Sequence, residues 1–440
     1  MTSRARLVAT ACVIVGVLYF AKALYRGTSF TRGDFYFSTP GAYAERINPA
    51  LWNSPDLAEA LAFNHGAYLY GPTQYLTLFP IVFLSSYAAI ASVLLVVYAV
   101  VLVAAWYLLW KLVTTNEPGM PGTAAVTFAI MFAFLPVTQA LIQREFEVVA
   151  LLALVLACLF YTQRRQAVTG VAVAYLTWFK YWSVVLLVSF VMHRRAKALL
   201  AFAIASVLLL GSTQLMFGLD RFVMGRTAAI VGGLVRPLGS GYVLYPAIER
   251  GAQKSDFCRQ WIWGRGTTAD VRWMLCGVED RFPLLSAKAS FYAMVVVTAV
   301  AFTWGALTLA KREGSTGPSK WAAIWEFSLL TIGGGAFVHA HYYYFIVFVL
   351  PLTALAFWYA TRPQPWRRTK IALWVMSYGL LNALMLPTSW VSALTGQNVW
   401  ALYLDSGLCL GGVLLLLGLV LWEFLLLSVD ARRVLVPQRT

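Results

Sequence analysis

The sequence predicts an all-α polytopic membrane protein, one transmembrane domain over residues 1–440, and three observations carry that expectation. Of the 440 residues, 60% are hydrophobic and 12% charged, a charged share about half that of an ordinary soluble domain. Mean hydropathy is +0.71. Apolar runs near or above about 20 residues recur along the chain, each long enough to cross a hydrocarbon core of about 30 Å. The longest polar stretches, 26–74 and 219–287, are loop-sized, so the chain reads as about ten to twelve transmembrane helices with two long extracytoplasmic loops.

Charge orders the elements. Short basic loops mark the cytoplasmic side of a multi-pass protein. Here they hold Lys111, Arg164 with Arg165, then His193, Arg194, Arg195 and Lys197, then Lys311 with Arg312, residues 362–370, and Arg432 with Arg433. The first span, 7–24, lies behind Arg4 and Arg6. It is long for the apolar region of a signal peptide, and no small-residue cleavage site precedes Tyr25 and Arg26, so a retained span with its N-terminus inside is expected. Residues 26–74 form the first outer loop. The apolar stretch 75–112 returns inward and is too long for one straight helix; residues 75–80 read as a partial or interfacial helix.

Spans at 124–139 and 147–160 follow, joined by an outer turn at 139–145. Residues 167–192 lie between two basic clusters that both belong inside, which predicts a hairpin of two short helices turning near Phe179, Lys180 and Tyr181. Irregular backbone at such depth is tolerated only where it lines a cavity or packs against protein. A span from 198 exits to the second outer loop, 219–287. Spans at 290–310, 321–337, 343–360, 371–386 and 407–427 complete a path with both termini cytoplasmic. No internal repeat is evident, which argues against an inverted-repeat transporter.

The net charge of +16 has no separate basic, aromatic-interleaved domain to carry it. Anionic membrane lipids are therefore expected as partners and nucleic acid is not. Of the five cysteines, Cys12, Cys158 and Cys409 sit in apolar runs as packing residues. Cys258 and Cys276 share one polar loop, either bridged or free. No Cys/His spacing resembles a zinc site.

Four constellations can carry chemistry. Asp34, in the first loop with Arg32, Phe35, Tyr36, Phe37 and Tyr43 around it, is either a solvated or capping side chain or a general base that takes a proton from a hydroxyl. Lys180, between Trp178, Phe179, Tyr181 and Trp182 in an apolar run, either snorkels from a helix end or meets a phosphate as a point charge. Gln143, Arg144, Glu145 and Glu147 occupy the outer turn, either as an ion-pair cluster or with Arg144 on a phosphate and Glu145 or Glu147 on a sugar hydroxyl. His339 and His341 precede Tyr342, Tyr343 and Tyr344 at an outer boundary, where tyrosines form an interfacial belt. Two positions apart, the histidines do not share a helical face and make a poor metal pair; one can instead bind a phosphate or a sugar hydroxyl. Residues 236–245 hold Gly239 and Gly241 but lack the strand–turn–helix unit of a nucleotide cradle, so a lipid-linked donor fits better than a nucleotide.

On these residues the chain resembles the membrane glycosyltransferases of superfamily C. More narrowly, it resembles the bacterial family of polyprenol-phosphate-mannose-dependent alpha-mannosyltransferases and a related arabinofuranosyltransferase. The resemblance rests on Gly33, Asp34 and Phe35 after the first span, residues 70–80, Gln143 at the fourth span, residues 170–195 with the embedded Lys180, Gly239 with Gly241, and His341 with its three tyrosines. Residues 75–80 depart from the Tyr-Pro-Pro common before the second span, and the polar loop 252–281 is an elaboration.

The resemblance implies transfer of a hexose, mannose foremost, from a polyprenyl-phosphate donor to a lipid or glycan acceptor. The reaction would take place outside the inner (plasma) membrane, by a monomer, without cofactor or metal, and with inversion. Asp34 would be the base; Lys180, Arg144 and His341 would bind donor phosphate; Tyr36, Glu145, Tyr245 and His339 would contact sugar or acceptor. The rival expectation is a polytopic transporter or lipid-linked glycan flippase, with buried charges on broken helices and no catalytic aspartate.

Overall fold

The computed structural model describes residues 3–29, 73–78, 80, 84, 87–117, 122–217, 247–248, 260–261, 271–313, 319–337, 342–363, 366–383 and 399–435. In chain order the helices are α1 (Ser3–Ser29), α2 (Thr73–Leu78), α3 (Tyr87–Thr114), α4 (Thr123–Phe132), α5 (Leu135–Gln143), α6 (Glu147–Thr162), α7 (Gln166–Phe179), a 3-10 helix (Tyr181–Leu186) and α8 (Leu187–Met192). They continue as α9 (Ala196–Phe217), α10 (Val271–Arg281), α11 (Ala287–Glu313), α12 (Lys320–Phe337), a second 3-10 helix (Tyr342–Phe348), α13 (Val349–Thr361), α14 (Arg367–Leu381), α15 (Val399–Asp405) and α16 (Leu408–Leu435). One antiparallel bridge pairs Ala247 with Trp261 and Ile248 with Gln260. The molecule is an all-α polytopic membrane protein.

Six described segments are long and apolar enough to cross a membrane: Arg6–Ser29, Ala88–Thr114, Ala196–Met216, Ala287–Lys311, Tyr342–Thr361 and Leu408–Val429. The pair α4 and α5, bent by 59°, makes a seventh if it is one broken span. Shorter apolar helices at Glu147–Thr162, Gln166–Phe179 and Tyr181–Met192 accompany them.

Burial sorts these helices into layers. α12 and the Tyr342–Thr361 segment are buried on nearly every face, with Trp325, Phe327, Phe345 and Tyr359 among the enclosed side chains. α1, α3, α9 and α11 instead expose aliphatic stripes, such as Val96 and Val100, or Leu200 and Val207. A helix apolar on its outer face suits hydrocarbon, and the inner pair supplies the packed core.

Several boundaries have local causes. α4 and α5 meet at Ala133 and Phe134, where Pro136 opens α5; the missing N–H and fixed φ of proline suit a helix start. The buried Asn382 side chain accepts from Leu135 N at 2.7 Å and holds the bend. The sequence reading had one span ending at 139 and a turn at 139–145. The helix instead runs on to Gln143, and the turn is Arg144 to Phe146. The hairpin expected from the two basic clusters is present, with its bend at Lys180. It presses against α12 at Gly334, where any Cβ would come within 2.8 Å of Trp182.

Candidate functional site

The site is built around the break between α7 and the 3-10 helix. Lys180 is extended there (φ −140°, ψ 108°), between two helices too short to span the core: α7, at 14 residues, is about 21 Å long. The lysine is 6% exposed. Its ammonium pairs with the buried Glu147 carboxylate and stands 4.3 Å from the centre of the Tyr344 ring. A buried ion pair is weak evidence for stability, because desolvation offsets its attraction, and an ionisable residue at membrane depth is by default a functional hypothesis.

The turn between α5 and α6 brings in the carboxylates. Arg144 closes α5 in the left-handed conformation (φ 53°). Its Nε donates to Ala91 O at 2.7 Å and one Nη to Gly27 O at 2.6 Å. The residue is 2% exposed, and its guanidinium braces α1, α3 and α5 together; Gly27 O is among the last carbonyls of α1, where a cation is favoured. Of the two roles the sequence allows Arg144, an ion-pair cluster or a phosphate contact, neither anticipates these two main-chain carbonyls. Glu145 and Glu147 follow, both buried.

A third wall comes from α2. Gln74 Nε2 donates to Phe179 O at 3.2 Å, and Thr77 and Tyr175 join hydroxyls at 2.6 Å. Gln74 is fully buried, and among the described residues its Oε1 has no hydrogen-bond partner. The neighbouring Trp178 Nε1 is likewise without one among the described residues. Enclosed polar atoms of this kind call for a partner, and a polyhydroxylated ligand supplies both donors and acceptors. Sequence reasoning missed Gln74, since only packing against Phe179 gives it this place.

Past Trp182 the hairpin borders an apolar groove of about 300 Å³ lined by Val185, Val188, Val295, Phe302, Leu330 and Phe337. Gly334, against which Trp182 packs, also lines it.

Of the residues singled out in the sequence, the structure brings Lys180, Arg144, Glu145 and Glu147 to neighbouring elements. Asp34, Tyr36, Tyr245, His339 and His341 lie outside the described residues, as does Cys258. Cys276 is disulfide-bonded and Cys12, Cys158 and Cys409 are free. Among the described residues, no group of three or more His, Cys, Asp or Glu side chains is placed to hold a metal ion.

Residues 68–235 match the model of glycosyltransferase family 87. That stretch runs from α2 through α9 and so contains Gln74, Arg144, Glu145, Glu147 and Lys180. Together with the helical membrane architecture, the match supports a membrane glycosyltransferase. No curated protein and no solved structure matches the chain.

Proposed function

We propose that the chain transfers a hexose, mannose foremost, from a polyprenyl-phosphate donor to a lipid or glycan acceptor at the extracytoplasmic face of the inner (plasma) membrane. The observation that carries this reading is Lys180, a buried ammonium at a helix break inside the stretch that matches the glycosyltransferase family. The donor phosphate would approach Lys180 in partial exchange for Glu147, with the polyprenyl chain in the groove beyond Trp182. His341, three residues before Tyr344 in sequence, would add to the phosphate contacts. Arg144 acts in this scheme as a positioning residue that sets Glu145 and Glu147 at the pocket wall. Gln74 Oε1 and Trp178 Nε1 would meet sugar hydroxyls, with Tyr36, Tyr245 and His339 completing the sugar and acceptor contacts.

The chemistry is a single displacement. The acceptor hydroxyl oxygen attacks the anomeric carbon while its proton passes to the Asp34 carboxylate. The bond from that carbon to the phosphate oxygen breaks, and the electron pair leaves with polyprenyl phosphate, whose charge Lys180 stabilises. One carboxylate suffices because phosphate leaves without a strong general acid, and configuration inverts as it does in the two-carboxylate inverting glycosidases.

The test is donor consumption and sugar transfer by purified protein given polyprenyl-phosphate mannose or arabinofuranose, with membrane extract as acceptor source. Transfer by wild type and its collapse in a folded Asp34→Asn variant are expected. Transfer that survives the substitution removes Asp34 as base. Failure to consume any donor in a panel, by intact protein, favours the transporter.

A further inference from the structure

Two turns at the other end of the hairpin are built alike. The first joins α6 to α7 through Gln163, Arg164 and Arg165; the second joins α8 to α9 through His193, Arg194 and Arg195. In each the middle arginine is left-handed, at φ 61° for Arg164 and 51° for Arg194. In each the next arginine N–H reaches back five residues, Arg165 to Phe160 O at 3.0 Å and Arg195 to Phe190 O at 2.8 Å.

The turns lie side by side. Tyr161 and Ser189, just before them, share a hydrogen bond of 2.9 Å, and the Tyr161 and Phe190 rings are 5.8 Å apart. The helices that leave them touch within their first turns, since a Cβ on Gly170 would lie 2.2 Å from Ala198 O. α7 and α9 therefore start at one level and run the same way, and their positive dipole ends coincide. The N–H groups of Ala167, Val168 and Lys197 have no main-chain acceptor among the described residues.

Five cations gather at this end. Arg164, Arg165, Arg194 and Lys197 are exposed. Arg195 is only 9% exposed, and among the described residues its guanidinium has no hydrogen-bond, ionic or ring partner. The nearby acid is already used: Glu326 accepts from Ser189 Oγ at 2.7 Å and meets His193 Nε2 at 2.6 Å. Elsewhere in the chain Lys320 and Arg362 are matched by Glu117, and Lys370 by Glu423. The Arg195 stem is buried while its head finds no counter-charge among the described residues, which leaves the guanidinium free to take an anion from outside the chain.

We propose that the paired arginine turns bind the phosphate of an anionic membrane lipid. Arg195 forms the floor of the site, Arg164, Arg165 and Arg194 its rim, and the free N–H groups of the two helix starts face the phosphate oxygens. A lipid is chosen over free phosphate because the flanking helices expose Val168, Val171, Val191, Leu200 and Ile204, an aliphatic strip on which acyl chains can lie. The site is about 21 Å along α7 from Lys180 and is independent of the sugar-transfer reading.

The test is native mass spectrometry of the full chain with phosphatidylglycerol, phosphatidylcholine or inorganic phosphate added. Preferential retention of phosphatidylglycerol is expected, weakened about tenfold or more by Arg195→Gln and unaffected by Lys111→Gln, a basic residue elsewhere. If Arg195→Gln does not fold, Arg164→Gln/Arg194→Gln, which alters exposed side chains only, is expected to show the same loss. Equal retention of the two lipids, or retention unchanged in these variants, overturns the site. Competition by inorganic phosphate as strong as that by lipid overturns the lipid assignment.

Discussion

Two buried lysine–glutamate pairs sit among the described residues, and they differ in what surrounds them. Lys370 and Glu423 join α14 to α16 at 2.6 Å. Both belong to unbroken helices, Trp358 Nε1 donates to the second Glu423 oxygen at 2.8 Å, and Lys370 lies 5.0 Å from the Trp422 ring centre. Lys180 and Glu147 join α6 to a backbone that has left the helix. Beside them are Glu145, also buried, and a glutamine oxygen and an indole nitrogen that lack partners among the described residues. The Lys370 pair sits on regular helices with the Tyr359 hydroxyl beside it, whereas the Lys180 pair sits on irregular backbone beside both a glutamine oxygen and an indole nitrogen left over. Burial of a charge pair alone does not mark a site, so the irregular backbone at Lys180 is what singles that pair out for the proposed role.

Replacing each pair with apolar residues separates the roles. Lys180→Met/Glu147→Leu is expected to cut sugar transfer by about 100-fold or more, the scale of a lost transition-state charge contact, while the protein still unfolds cooperatively. Lys370→Met/Glu423→Leu is expected to keep transfer and to leave stability unchanged or raised by about 1–4 kcal/mol, as buried pairs often do when replaced whole. Equal loss of transfer in both would erase the distinction. Removing one partner sharpens it: Lys370→Met alone strands Glu423 and should cost about 3–5 kcal/mol in denaturant unfolding, with transfer per folded molecule intact.

Smaller effects follow nearer the sugar. Gln74→Leu deletes the unpartnered oxygen and the bond to Phe179 O, and KM for donor should rise about tenfold with a lesser change in kcat, as for one lost hydrogen bond to ligand. An unchanged KM would place the sugar elsewhere.

The smallest effect concerns a third pair, outside the spans. Burial, opposed by Glu117 and reinforced by Arg362, pushes Lys320 down to about 8. The unfolded chain then binds more protons than the folded one between about pH 8 and the ordinary lysine value near 10.4, so stability rises across that window. The unfolding temperature of wild type relative to Lys320→Met should climb from pH 8 to pH 10; a flat difference would refute the shift.

The spans were legible in the sequence because hydropathy and basic loops act over many residues. Charge alone foretold the hairpin at Lys180, since both flanking clusters wanted the same side. The bend at Phe134 was not legible, because it depends on Asn382 from 247 residues away. For Arg144 the sequence left an ion-pair cluster and a phosphate contact both open, since it shows a charge and not its partner; packing adds two carbonyls that neither reading foresaw. Glu326 and Glu423 stood in plain view within apolar runs, and that signal, a carboxylate at depth, went unread. Gln74 offered no signal before its neighbour Phe179 was placed.

Under the proposed function the shell around Lys180, and not merely a buried pair, holds the donor phosphate. This is tested most directly by titrating sugar-free polyprenyl phosphate into wild type and the two double variants, Lys180→Met/Glu147→Leu and Lys370→Met/Glu423→Leu. Wild type and the second variant should bind alike, with affinity at least about tenfold weaker in the first, the scale of one charged hydrogen bond. Equal affinity in all three would contradict the account.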